Sequence, residues 1–138
     1  MNTKGDNKYY YCDIGLFFLK RGQKNRYYQK YADKLYQELG RKVYDRCLVC
    51  GKTLSCLHHY FPKSVSSALR YDMNNGIPIC IGCHFSHHNG DPRIHNKINA
   101  KMGKKWLLNL EIDKNKIIKI SKGYYIEHIT LFNNLLNN

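Results

Sequence analysis

Acidic residues are scarce in this 138-residue chain. Ten Asp and Glu stand against 23 Lys and Arg, a formal charge of +13. Long apolar runs are missing too. No stretch outruns Leu16-Phe17-Phe18-Leu19, whereas a bilayer-spanning helix needs about 20 residues. No amphipathic anchor helix of the membrane-surface kind accompanies the charge. The opening Met1-Asn2-Thr3-Lys4-Gly5-Asp6 holds no apolar segment, so no secretory signal is expected. Low-complexity linkers are absent as well. These absences argue against a membrane role and lead to the expectation of an intracellular, cytoplasmic protein with one domain over residues 1–138. What is present is a globular composition, 43% apolar and 24% charged. Its cationic excess fits a polyanionic partner, with nucleic acid, and DNA in particular, the foremost expectation.

Cysteine is not scarce. Six occur, and four form two Cys-x-x-Cys pairs, Cys47/Cys50 and Cys80/Cys83. Without an export signal, paired thiols of this spacing predict a tetrahedral four-cysteine structural zinc site rather than disulfides. Each pair offers two thiolates from one tight turn, and Gly51 and Gly82 supply backbone freedom there. A thiol redox motif needs only one such pair. Four thiolates around one zinc ion contribute a charge of −2, leaving the loaded protein at about +11. Cys12 and Cys56 fall outside the two pairs and are expected to be small buried hydrophobes.

The clip encloses 29 residues between Cys50 and Cys80, more than a plain zinc ribbon carries. Five of the seven histidines, His58, His59, His84, His87 and His88, lie inside it or directly after it. Leu54 to His59 reads as a short strand, Pro62 to Asn75 as loop, and Gly76 to Ile79 as a returning strand. Pro78 confines that second strand to an edge or to its own end. Ile81 to Asn89 reads as a helix stopped by Gly90. The outcome is a β-β-α arrangement with His84 and His88 four apart on one helical face. Three imidazoles can hold one divalent cation and leave positions open for a phosphate oxygen and water. Because side chains alternate along a strand, only one of His58 and His59 can face that cation. The other is available as a general base near neutral pH. The chemistry that suits this set is phosphodiester hydrolysis.

Cys47-x-x-Cys50, His58-His59, Asn75-Gly76-Ile77-Pro78-Ile79-Cys80-x-x-Cys83-His84 and His88 together resemble the HNH endonucleases with a ββα-metal fold. The resemblance spans Cys47 to about His95, slightly more than a third of the chain. It implies an α+β fold: a small ββα-metal core over 47–95, stapled by the zinc site, with a basic, Tyr-rich helical flank over 1–46 and a further flank over 96–138. It implies that His59 is the general base and that His58 and His84 ligate a catalytic divalent metal, Mg²⁺ or another. It also implies that Asn75 hydrogen-bonds the base-bearing strand to the loop, and that the products carry 5′-phosphate and 3′-hydroxyl ends. His88 matches the third ligand of the colicin-type variants, with His87 its nearest competitor. His59-Tyr60, Leu69-Arg70-Tyr71, Asn75, the second knuckle and Gly90-Asp91 further resemble the phage NinG/Rap recombination endonucleases, which act on branched DNA. Those enzymes often read Gly-His where this chain has His58-His59, and Asn where it has His84. A phage protein working in a bacterial host fits that branch. A homing or restriction type is the competing version, and cutting palindromes requires two-fold symmetry, hence a homodimer.

Two readings of other classes compete. A non-catalytic zinc module that binds nucleic acid or protein would not need His59, and a thiol redox protein would not hold zinc. Lys63, Arg70, Arg93 and Lys97 are expected to contact phosphates, on charge and proximity to the motif. His95 has the same potential role, set early on a helix opened by Asp91-Pro92 whose apolar stripe is Ile94, Ile98 and Met102. His128 reads as a polar surface residue. Residues 1–23, with Tyr9-Tyr10-Tyr11 and Leu16 to Leu19, suggest strand. Lys24 to Leu39 suggests a helix with Tyr28, Tyr31, Leu35 and Leu39 on one side, ended by Gly40. Trp106, Leu107 and Leu110 are expected to close the core. Lys116 to Phe132 reads either as a hairpin about Ser121-Lys122-Gly123 or as a helix in its second half.

Overall fold

A computed structural model describes residues 25–138 fully, and residues 9–11 and 18–20 as backbone strands. Cys12, Leu16 and Phe17 lie outside the described residues. The architecture is mixed α+β, and it divides into two compact units, Met1–Leu39 with Lys119–Asn138, and Gly40–Ile118. Among the described residues no helix is long and apolar enough to cross a membrane.

The first unit holds an antiparallel pair, β1 (Tyr9–Tyr11) and β2 (Phe18–Lys20), in the register Tyr9 opposite Lys20. It also holds most of α1 (Asn25–Val43) and all of α5 (Lys122–Leu136). Tyr28, Ala32, Leu35, Tyr36 and Leu39 form the buried stripe of α1, and Tyr125, Ile129 and Phe132 that of α5. Tyr36 meets Phe132 with ring centroids 6.0 Å apart. Ser121 caps α5 by accepting a hydrogen bond from the Tyr124 N–H at 3.2 Å, so the tail is helical rather than a hairpin. His128 sits on this helix, donating from Nδ1 to the Tyr124 carbonyl at 2.9 Å.

Helix α1 does not end at Gly40. It runs on to Val43 because the glycine serves packing, not termination: a Cβ at position 40 would strike the Leu57 side chain. In the second unit β3 (Cys56–His59) pairs antiparallel with β4 (Gly76–Ile79), Leu57 opposite Pro78 and His59 opposite Gly76. Strand β3 starts two residues later than its apolar pattern suggests, since Thr53 is drawn into a bridge with Arg46 and the Ser55 N–H reaches the Ile79 carbonyl at 3.0 Å. Pro78 is tolerated because the sheet has only two strands and each is an edge. Helix α2 (Ile81–His88) follows β4 at once, then α3 (Pro92–Met102), capped by Asp91, and α4 (Lys104–Lys114). Cys47, Val49, Ile77, Ile79, Cys80, Ile94 and Ile98 make the core here, and Trp106 packs against its edge. Of the three residues expected to close it, Leu110 is buried, whereas Trp106 and Leu107 are only half-buried.

Candidate metal centres and active site

The two cysteine knuckles fold differently. Cys47–Cys50 is a turn in which the Gly51 N–H bonds the Cys47 carbonyl at 3.0 Å, and Gly51 takes a φ of +76° that an L side chain would resist. Cys80–Cys83 is instead the opening of α2. Cys80 is its N-cap and its Sγ accepts from the Cys83 N–H at 3.4 Å. Gly82 therefore has an ordinary helical position and no positive φ. The four Sγ atoms lie within 4.8 Å of one another, Cys50 and Cys80 at 3.5 Å, against about 3.8 Å for sulfurs around a tetrahedral zinc. Burial pushes the Cys47 thiol up, but the backbone amides of Cys50, Cys80 and Val49 outweigh it and bring the pKa down to about 7. Cys83 moves upward, from burial and from sharing protons with the other three sulfurs. Lys101 of α3 donates to the Leu48 carbonyl at 2.6 Å, bringing a cation to the first knuckle. The five described cysteines are free thiols, and the cluster of four is able to hold a metal ion such as zinc.

A second cluster is built from histidine. On β3, His58 turns inward and is 8% exposed, and the alternation of the strand sends His59 the other way. His84 and His88, one turn apart on α2, place their Nε2 atoms 2.9 Å from each other. One ring nitrogen each from His58, His84 and His88 fall within 4.8 Å, whereas His87 packs its ring on His58 at 4.5 Å. His58 Nε2 is buried and has no hydrogen-bond partner. Such an orphan costs about 1–3 kcal/mol, and a cation bound by the three rings would satisfy it. Burial first, and then His87, His84, His88 and His59, push the His58 pKa down to about 3. Burial, then His88 and His87, also lower that of His84. Both are therefore neutral at pH 7, the form in which imidazole ligates. The residues fit a divalent cation.

His59 lies beside this cluster. Its Nε2 is 2.8 Å from the Arg70 carbonyl, which can only accept, so Nε2 carries the proton and Nδ1 is the basic nitrogen. The loop that presents this carbonyl is held by Asn75, which is fully buried. Its Oδ1 accepts from the Phe61 N–H at 2.9 Å, and its Nδ2 donates to the Phe61 and Leu69 carbonyls at 3.0 and 3.2 Å. One side chain thus ties the end of β3 to the segment next to Arg70.

The cations expected at phosphates are scattered. Lys63 and Lys97 are exposed. Arg70 is half-buried with its guanidinium 5.7 Å from the Tyr71 ring centre. Arg93 pairs with Asp91 at 3.0 Å, the carboxylate that also caps α3.

Two features escape the sequence reading. Cys56 is half-buried against the core, and its Sγ also stands 3.6 Å from His84 Nδ1, at the edge of the histidine cluster. Strand alternation from His58 was the available signal. Tyr60, His95 and Asn99 form a network: Tyr60 donates to Asn99 Oδ1 at 2.7 Å, Asn99 Nδ2 lies 3.2 Å from His95 Nε2, and the Tyr60 and His95 rings stack at 5.4 Å. The His95/Asn99 spacing on one helix face hinted at half of it; the motif containing Tyr60 did not indicate that its hydroxyl reaches α3. Comparison with protein-family models, with curated proteins and with solved structures finds no match for this chain.

Proposed function

We propose that this chain is a metal-dependent endonuclease of the HNH kind, hydrolysing phosphodiester bonds in DNA with the β3–β4 hairpin and α2 as a ββα-metal core. The observation that carries the reading is the division of labour on β3. His58 joins His84 and His88 around one point with an unsatisfied buried nitrogen, while its neighbour His59 faces away with its proton fixed on Nε2. A divalent cation there, Mg²⁺ or another, supplies Lewis-acid stabilisation to a phosphate oxygen and to the departing sugar oxygen.

The protein's own part starts at His59. Its Nδ1 takes a proton from the attacking water, and the Arg70 carbonyl stabilises the resulting imidazolium through Nε2–H. The water oxygen bonds phosphorus as the bond to the 3′ oxygen breaks, giving 5′-phosphate and 3′-hydroxyl ends. Asn75 keeps the carbonyl in place; it is a positioning residue. DNA as partner draws on the charge of +13 and on exposed cations such as Lys63 and Lys97. The four-cysteine cluster, with zinc as its ion, staples the two ends of the insert that carries His58, His59 and Asn75 and anchors the start of α2, which carries His84 and His88.

Plasmid cleavage tests the reading. Wild type should nick supercoiled DNA with Mg²⁺ or Mn²⁺ and not with chelator, and His59→Ala should lower the rate at least about a hundredfold with zinc content unchanged. If the variant cuts as fast as wild type, His59 is not the base. If neither protein cleaves plasmid, junctions or flaps with any divalent ion, yet both bind DNA, the chain is a zinc-stapled binding module.

A further inference from the structure

Helix α2 carries two large apolar side chains that no described residue covers. Ile81 is 76% exposed and Phe85 is 69% exposed, on a helix of only eight residues. They are not placed at random about it. At 100° per residue, Ile81, His84, Phe85 and His88 fall within an arc of about 100°, so the two apolar residues continue the side of the helix that carries two of the cluster histidines. Leaving both in water is unfavourable by roughly 25 cal/mol for each Å², and neither is needed to shape the core.

The surroundings say what kind of surface would cover them. Helix α2 contains no acidic residue. Beside Ile81 opens a cleft of about 960 Å³ whose lining includes Arg46, Lys52, Thr53 and Ser86 and no carboxylate. Apolar side chains rimmed by cations and histidines, in a chain of charge +13, match a polyanion with apolar faces between its charges. A DNA base step is such a target, and exposed Phe and Ile are among the side chains that enter between base pairs, unstack them and kink the duplex.

We propose that Phe85, backed by Ile81, is a wedge that enters a base step of DNA beside the phosphate held at the histidine cluster, with Arg46 and Lys52 on the flanking backbone. The proposal rests on the DNA-cleaving reading above and adds a substrate class to it: DNA whose stacking yields easily at the cut. Pyrimidine–purine steps unstack most readily in duplex, so cleavage should concentrate there, and mismatched DNA should be cut faster than regular duplex.

The test uses the full chain in the cleavage-impaired His59→Ala background, with 2-aminopurine placed at the preferred step. Binding should raise its fluorescence, and adding Phe85→Ala should abolish that rise and weaken duplex binding about tenfold, the loss of roughly one stacking contact. In the His59-containing protein, Phe85→Ala should nick plasmid with its step preference flattened and its advantage on mismatched DNA reduced. Because Phe85 is exposed, the variant should keep wild-type thermal stability. If Phe85→Ala leaves fluorescence, affinity and step preference unchanged while plasmid is still nicked, the wedge is wrong and the nuclease reading stands. If no DNA form is bound at all, both fall. If Phe85→Ala converts a dimer to a monomer in sedimentation and leaves 2-aminopurine silent in both proteins, the apolar side is an interface between copies and the proposal is overturned.

Discussion

His58 and His59 differ by one residue and by almost everything else. The pleat puts His58 into a pocket where burial and four further imidazoles bring its pKa down to about 3, against an ordinary 6.5. Between those values the unfolded chain binds a proton that the folded chain refuses. Stability contributed by neutral His58 is therefore complete above pH 6.5 and is lost as the pH falls toward 3, with a slope approaching about 1.4 kcal/mol per pH unit for one proton. A protein whose histidine site has been cleared by a weak chelator should show this slope in urea unfolding at pH 7, 5.5 and 4.5, and His58→Leu should flatten it. Parallel pH profiles for the two proteins would mean that His58 is not kept neutral by its pocket. Asn75 acts at the same scale in a different manner. Its three hydrogen bonds are made in full burial, so Asn75→Ala should cost about 2–4 kcal/mol in chemical denaturation. Asn75→Asp loses the two donations from Nδ2 and should recover little of that cost. Full recovery by Asp would show that only the Phe61 N–H bond matters.

At the scale of elements, what could be read from sequence was what periodicity and side-chain chemistry dictate locally. The spacing of His84 and His88, the turn at Cys47–Cys50, the Asp91-Pro92 helix start and the strand Gly76–Ile79 depend on neighbours a few residues away, and each stands where it was expected, whereas the expected second turn at Cys80–Cys83 is the opening of α2. Gly40 shows the limit. As a residue type it suggests a helix stop, yet its role is set by Leu57, seventeen positions later and reachable only after β3 has folded back. The tail shows another, since Ser121-Lys122-Gly123 suits a turn as well as a helix start, and the cap to Tyr124 together with the burial of Tyr125, Ile129 and Phe132 selects the helix. Cys56 packs against the core as a small thiol is expected to, but its residue type does not announce the 3.6 Å approach to His84, which depends on α2 folding back beside β3. The Gly40 contact makes its own prediction. Alanine raises helix propensity by up to about 1 kcal/mol, but its Cβ must displace a packed Leu57, an overpacking cost of about 1–3 kcal/mol. Gly40→Ala should thus be destabilising on balance, and in a Leu57→Ala background it should become neutral or stabilising. Additive effects in that double-mutant cycle would remove Leu57 as the reason for the glycine.

On the scale of the whole chain, the two compact units should depend on metal to different degrees. The core of Met1–Leu39 with Lys119–Asn138 is aromatic and aliphatic, with Tyr28, Tyr36, Tyr125, Ile129 and Phe132 buried and no cysteine among the described buried residues. The main core cluster of Gly40–Ile118 includes two of the four clustered cysteines, Cys47 and Cys80. Without an ion, four sulfurs within 4.8 Å must share protons to avoid mutual repulsion, and the clip that joins the two ends of a 29-residue insert is lost. Binding free energy at such a site is folding free energy for the part it closes. Thiolate sites hold zinc far more tightly than three imidazoles hold a hard divalent ion, so chelation should act in two stages. A weak chelator should abolish nicking while circular dichroism and bound zinc are unchanged. A strong chelator should then remove one zinc per chain and the helical signal of α2, α3 and α4, while the signal of α5 and most of α1 persists. Refilling with zinc and then adding Mg²⁺ should restore structure first and cleavage second. Loss of all helical signal in one step would mean that the aromatic core of α1 and α5 cannot stand without the zinc-stapled unit. Retention of all of it after the zinc has gone would mean that the four-cysteine cluster is not what holds Gly40–Ile118 together.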